Sequence, residues 1–164
     1  MGLVYVFQDP QHLSCGVMEI RVFKGHLYVG ILSFVRGFAL VRTPIRSSDD
    51  LLGLSRWDWE LISGNGFQRQ QRDQIGEAVA GNDYTWSSAE VQGIYFIGTF
   101  AGSKRDEKPT GQLWASYDGL EWKLLESDVM SKSKYMYGFR TMEANKDQTK
   151  LYIGSAVNMY IPDE

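Results

Sequence analysis

Arg21, Arg140, Glu90 and Glu143 are the side chains best suited by type to act on an anion or a glycosidic bond. A guanidinium grips carboxylate or phosphate through paired N–H groups, and two carboxyl groups supply the acid and the base or nucleophile of glycoside hydrolysis. That reaction needs a defined separation across the scissile bond. Nothing in the spacing of Glu90 and Glu143 sets one, and Arg21 and Arg140 fall at different points of their segments. His12 and His26 are too few, and too far from Cys15 and the acids, for a metal-site spacing. Gly64-Asn65-Gly66-Phe67 is followed by neither Lys-Ser/Thr nor a helical stretch, so it is not a phosphate loop. No nucleophile elbow built on serine occurs. The sequence therefore assigns no catalytic set, no metal ligands and no cofactor.

The better candidates are two clusters of aromatic and polar residues. One is Asn82-Asp83-Tyr84-Thr85-Trp86, the other Tyr135-Met136-Tyr137-Gly138-Phe139-Arg140. Aromatic faces beside hydrogen-bonding groups suit sugars and flat ligands. The expected ligand contacts are Asp83, Tyr84, Trp86, Tyr135, Tyr137 and Arg140. The competing reading is that the four aromatic residues pack one structural unit against the next.

Positioning those clusters is the task of a repeat. His26-Leu27-Tyr28-Val29-Gly30 recurs as Ile94-Tyr95-Phe96-Ile97-Gly98 and as Lys150-Leu151-Tyr152-Ile153-Gly154, at intervals of 68 and 56 residues. Each copy follows another short apolar stretch across a turn: Lys24-Gly25, Gln92-Gly93 and the longer Asn145 to Thr149. Two short strands joined by such a turn read as a β-hairpin. Downstream, Ala39 to Thr43 matches Gln112 to Ser116, and Asp58 to Ile62 matches Glu121 to Leu125. Alternation of period two with aromatic and β-branched residues predicts four half-buried strands per unit. Four-stranded units at this spacing predict an all-β protein of β-propeller type with antiparallel blades. Two units are full (about 16–67 and 84–126) and a third, 137–164, is partial, so the expected ring is incomplete. All of residues 1–164 belong to this single domain. Val4-Tyr5-Val6-Phe7 reads as the last strand of an earlier blade or as a frayed start, and Glu77 to Ala80 as one helical turn at most. First strands line the central channel of a propeller, so both aromatic clusters fall at the channel mouth.

The net charge is −3 and the charges are evenly spread. Without a basic stripe, nucleic acid is not an expected partner. A lone Cys15 cannot form an intramolecular disulfide, which leaves the compartment open. Met1 to Phe7 lacks the basic and long apolar regions of a signal peptide, and no apolar run approaches the roughly 20 residues of a membrane span. A soluble chain of unassigned localisation, without a membrane partner, is the expectation.

Ser116-Tyr117-Asp118-Gly119-Leu120-Glu121-Trp122 resembles a shortened Asp-box, Ser-x-Asp-x-Gly-x-Thr-Trp, of the sialidase-like β-propellers. One residue between Asp and Trp is missing, and Glu121 stands where Thr belongs. The surrounding frame covers most of residues 16–164. The resemblance implies a structural turn formed by Ser116, Asp118, Gly119 and Trp122. It implies no activity, because the arginine triad, the Tyr/Glu pair and the acidic donor of a sialidase have no counterparts to carry over. Three readings follow: a non-catalytic module binding a glycan or protein at the channel mouth; a fragment of a glycoside hydrolase-like propeller whose catalytic residues lie outside this chain; and a truncated propeller stabilised by self-association through open blade edges. The first is preferred, so this chain alone is not expected to be an enzyme.

Overall fold

A computed structural model describes residues 14–33, 37–45, 47, 53–55, 58–67, 82–101, 111–125 and 136–157. Tyr135, Val4 to Phe7 and the Glu77 to Ala80 stretch lie outside the described residues. The protein is all-β, built of antiparallel sheets of four and six strands. The strands are β1 (Ser14–Phe23), β2 (His26–Ser33), β3 (Ala39–Pro44), β4 (Glu60–Ser63), β5 (Tyr84–Val91), β6 (Ile94–Phe100), β7 (Leu113–Ser116), β8 (Lys123–Leu124), β9 (Met136–Ala144) and β10 (Leu151–Val157). No helix among the described residues is long and apolar enough to cross a membrane.

Sequence order is spatial order within each unit. The first sheet runs β1-β2-β3-β4, and β5-β6-β7-β8 repeats that meander. The hairpin turns explain the start of each: Lys24-Gly25 and Gln92-Gly93 both hold positive φ at the two central positions. That is the turn whose twist matches paired strands. The β9–β10 hairpin joins the second sheet through a single bridge, Phe100 to Gly138. Sequence periodicity predicts separate four-stranded units; this bridge instead joins the third hairpin to the second sheet, and it exists because glycine lets the backbones meet. A Cβ on Gly138 would overlap the Thr99 carbonyl oxygen.

Alternation places different side chains on the two faces of each sheet. Tyr28 and Leu40 join Phe23 and Phe38 against Tyr95 and Ile97 of the second sheet, with Phe67 and Trp122 at the margin. Phe23 and Tyr28 rings lie 5.0 and 5.3 Å from Tyr95. Val29, Ile31 and Val41 form a cluster of their own. On the far side of the second sheet, Ala89, Phe96 and Leu113 pack against Met136, Phe139 and Met142. Aromatic and aliphatic burial at these contacts, on the order of 1.5–3 kcal/mol per large side chain, is what holds successive units together.

Polar contacts cross the same boundaries. Arg21 donates to the Ser88 hydroxyl at 3.1 Å and to its carbonyl at 2.6 Å. Ser88 donates in turn to Glu19. Burial raises the Glu19 carboxyl above its ordinary value, opposed by the Ser88 hydrogen bond and the Arg21 charge. Ser87 donates to the Phe139 carbonyl at 2.9 Å. Asn82 and Asp83 form the main joint. Their carbonyls accept from Phe38 and Ser33, and the Asp83 N–H donates to Phe100.

The segment from Ser116 to Trp122 is an ordered turn. Asp118 Oδ1 accepts from the N–H groups of Leu120 and Glu121 and from the Ser116 hydroxyl, and the Gly119 N–H donates to Ser116 Oγ. Gly119 takes φ +77, which a side chain disfavours, and its surface meets the Tyr28 hydroxyl. The backbone hydrogen bonds from Leu120 and Glu121 hold the Asp118 carboxyl below its ordinary range. A depressed folded value means the stabilisation is full above the ordinary carboxylate range and is lost as pH falls through the folded value. Asp118→Ala is expected to destabilise by about 1 kcal/mol near neutrality, in line with other exposed capping carboxylates. Urea midpoints of the two proteins should converge once the pH falls below the aspartate range; a gap that persists there would show that the charge is not involved.

Candidate functional site

The three hairpins share one irregularity that the sequence does not announce. In β1 the register skips a residue between Val17 and Glu19, and in β5 between Thr85 and Ser87. In β9 the partners pass from Thr141 to Phe139. The unpaired residues are Met18, Trp86 and Arg140. A β-bulge adds a residue to one strand, bends it and re-aims the side chain. Counted from the closing glycines Gly30, Gly98 and Gly154, all three bulges occupy the same position. Arg21 and Arg140 do not: Arg21 corresponds to Glu143.

Two of these bulged residues meet. The Arg140 guanidinium lies 5.8 Å from the Trp86 ring centre. Around them stand three more rings. Tyr84 stacks on Phe100 at 4.5 Å and 12°, as direct cross-strand partners. Phe100 faces Tyr137 at 6.1 Å and 18°. Trp86 meets Phe100 at 5.0 Å and Tyr84 at 5.7 Å, each in a T-shaped arrangement. All four rings are half-buried and Arg140 is exposed. Among the described residues no carboxylate forms an ion pair with Arg140. Burial raises the Tyr84 hydroxyl above its ordinary value, the Asp83 charge adds to this, and Arg140 opposes it.

The structure thus brings together Tyr84, Trp86, Tyr137 and Arg140. Asp83 is fully buried, with its main chain tied into both sheets, so a ligand arriving from solvent meets the rings and the guanidinium first. Tyr135 lies outside the described residues. Phe100 is the member that sequence reasoning missed. Its signal is the register of the β5–β6 hairpin, which is readable only once the bulge at Trp86 is known.

The other residues with chemical potential lie elsewhere. Arg21, Glu90 and Glu143 line a polar concavity of about 420 Å³ with Gln92 and Gln148. The Arg21 guanidinium there is committed to Ser88. A second concavity of about 490 Å³ runs along Phe96, Ala115, Tyr117, Asp118 and Lys123. Among the described residues no group of three or more His, Cys, Asp or Glu side chains gathers as metal ligands would. No family model matches the chain, and neither does any curated protein or solved structure.

Proposed function

We propose that the chain is a non-catalytic β-propeller repeat module that binds a saccharide at the channel mouth. The observation that carries this is the joint placement of Trp86 and Arg140 on equivalent bulges, flanked by the half-buried rings of Tyr84, Phe100 and Tyr137. An aromatic face covers the C–H face of a sugar ring, and the guanidinium donates to its hydroxyl or carboxylate oxygens. Support for the propeller geometry comes from repetition. Three hairpins carry the same bulge, and the closing glycines Gly30 and Gly98 abut Thr85 and Phe139, which are equivalent residues of the following unit.

A glycan array followed by calorimetry tests the proposal. Trp86→Ala is expected to weaken binding by about 1.5 kcal/mol, roughly tenfold in Kd. Lys123→Ala, on the β8 strand, should leave it unchanged. A folded protein that captures no saccharide, or one whose capture ignores Trp86, overturns the proposal.

A further inference from the structure

The three bulges form a series. β1 packs on β5 as β5 packs on β9, and the relation between neighbours is the same at both steps. Thr85 abuts Gly30, and Phe139 abuts Gly98. Thr85 and Phe139 are equivalent residues, each immediately before its bulge. The step that sets Trp86 beside Arg140 therefore sets Met18 on the other side of Trp86. Methionine, tryptophan and arginine follow one another on three successive first strands.

The residues flanking the bulges are committed to the scaffold. Thr85 is 0% and Phe139 4% exposed. Glu19 accepts a hydrogen bond from Ser88, and Ser87 donates to the Phe139 carbonyl, so both residues that follow a bulge bond the next unit. The bulged side chains are left facing solvent: Met18 is 40% exposed, Arg140 is exposed and Trp86 is half-buried. A thioether on three rotatable bonds is apolar, polarisable and adaptable, which suits methionine to binding surfaces.

We infer that the site takes a linear oligosaccharide laid across the three first strands, with Met18 as its outer contact. This rests on the saccharide reading and names the class of saccharide. The Arg140 guanidinium lies 5.8 Å from the Trp86 ring centre, so one sugar ring touches both. Met18 belongs to the preceding sheet, and face-packed sheets stand on the order of 10 Å apart. A further sugar ring is needed to reach it. A monosaccharide engages Trp86 and Arg140 alone, whereas a chain engages all three, and Met18 reads the length of the ligand.

A glycan array printed with mono- to hexasaccharides of glucose, N-acetylglucosamine and galacturonic acid, followed by calorimetry on the series that binds, tests this. Wild-type affinity is expected to rise about tenfold from monosaccharide to trisaccharide, the equivalent of one added apolar contact. Met18→Ala should cost the trisaccharide about fivefold more than it costs the monosaccharide, while Trp86→Ala weakens every length alike. Met18→Lys is a second change at the same exposed position should the alanine variant fail to melt like wild type. Capture of no saccharide at any length would remove the saccharide reading and this inference with it. Affinity that does not grow with length, or a loss in the Met18 variants that is equal for short and long ligands, would leave that reading standing and overturn this inference alone.

Discussion

Gly138→Ala is expected to destabilise the protein by about 3 kcal/mol, the upper range for forcing a methyl group into filled space. A Cβ there would overlap the Thr99 carbonyl oxygen and lie 3.0 Å from Phe100 Cα. Both obstacles are backbone, so no rotamer change relieves them. Gly111 completes the junction: its own Cβ would overlap Gly138 Cα. Hydrogen bonds fix all three segments in place, from Ala101 N–H to the Tyr137 carbonyl at 3.0 Å and from Thr99 N–H to the Gln112 carbonyl at 2.9 Å. The natural control is Gly16→Ala. Gly16 is the equivalent residue of β1, yet nothing lies within 4 Å of its Cβ position. Its change should stay within about 0.5 kcal/mol. Urea titrations read both variants, and equal midpoints would mean that β9 does not cross the end of β6 as described.

Asn82→Ala should weaken folding by a comparable amount, about 2–4 kcal/mol. The Asn82 amide is almost fully enclosed and satisfies three partners. Its Nδ2 donates to the Gly66 carbonyl at 2.9 Å and to Gln112 Oε1 at 2.7 Å, while Oδ1 accepts from Thr99. Alanine strands those groups without water, and each unsatisfied buried polar group costs about 1–3 kcal/mol. Some of that returns because Thr99 and Gln112 also bond each other, the Gln112 N–H donating to Thr99 Oγ1 at 2.8 Å. Thermal melts of Asn82→Ala beside Lys123→Ala, an exposed site, give the comparison. A loss no greater than that of the surface change would contradict the network.

Much of this architecture is legible in the residues. The turns at Lys24-Gly25 and Gln92-Gly93, and the alternation on either side, specify hairpins without reference to distant contacts. The strand order within each unit follows the repeat, although the connections from Pro44 to Glu60 and from Phe100 to Leu113 are long. Strand ends are less legible. The Glu121 to Leu125 stretch predicts a strand of five, but β8 spans only Lys123–Leu124. Asp118 captures the N–H of Glu121 before the ladder can use it.

The site is half legible. Composition marks Tyr84, Trp86, Tyr137 and Arg140, but not what assembles them. Met18, Trp86 and Arg140 share no chemical character, so no pattern of residue types betrays the slip that all three occupy. Without it, Thr85 rather than Tyr84 would stand opposite Phe100. Asp83 misleads for a different reason. A polar residue beside aromatics suggests a ligand contact, whereas this one is enclosed at the joint between sheets, where its carbonyl accepts from Ser33 far away in sequence.

The extra residue in each first strand also separates two kinds of evolutionary constraint. Paired residues must satisfy the ladder and the neighbouring unit at once, so their replacement disturbs the scaffold. A side chain that sits outside the pairing is released from that double demand. Methionine, tryptophan and arginine already fill the three equivalent places on one unaltered framework. On the proposed reading, exchange of these residues alone would change what the chain binds and leave the strands that carry them as they are.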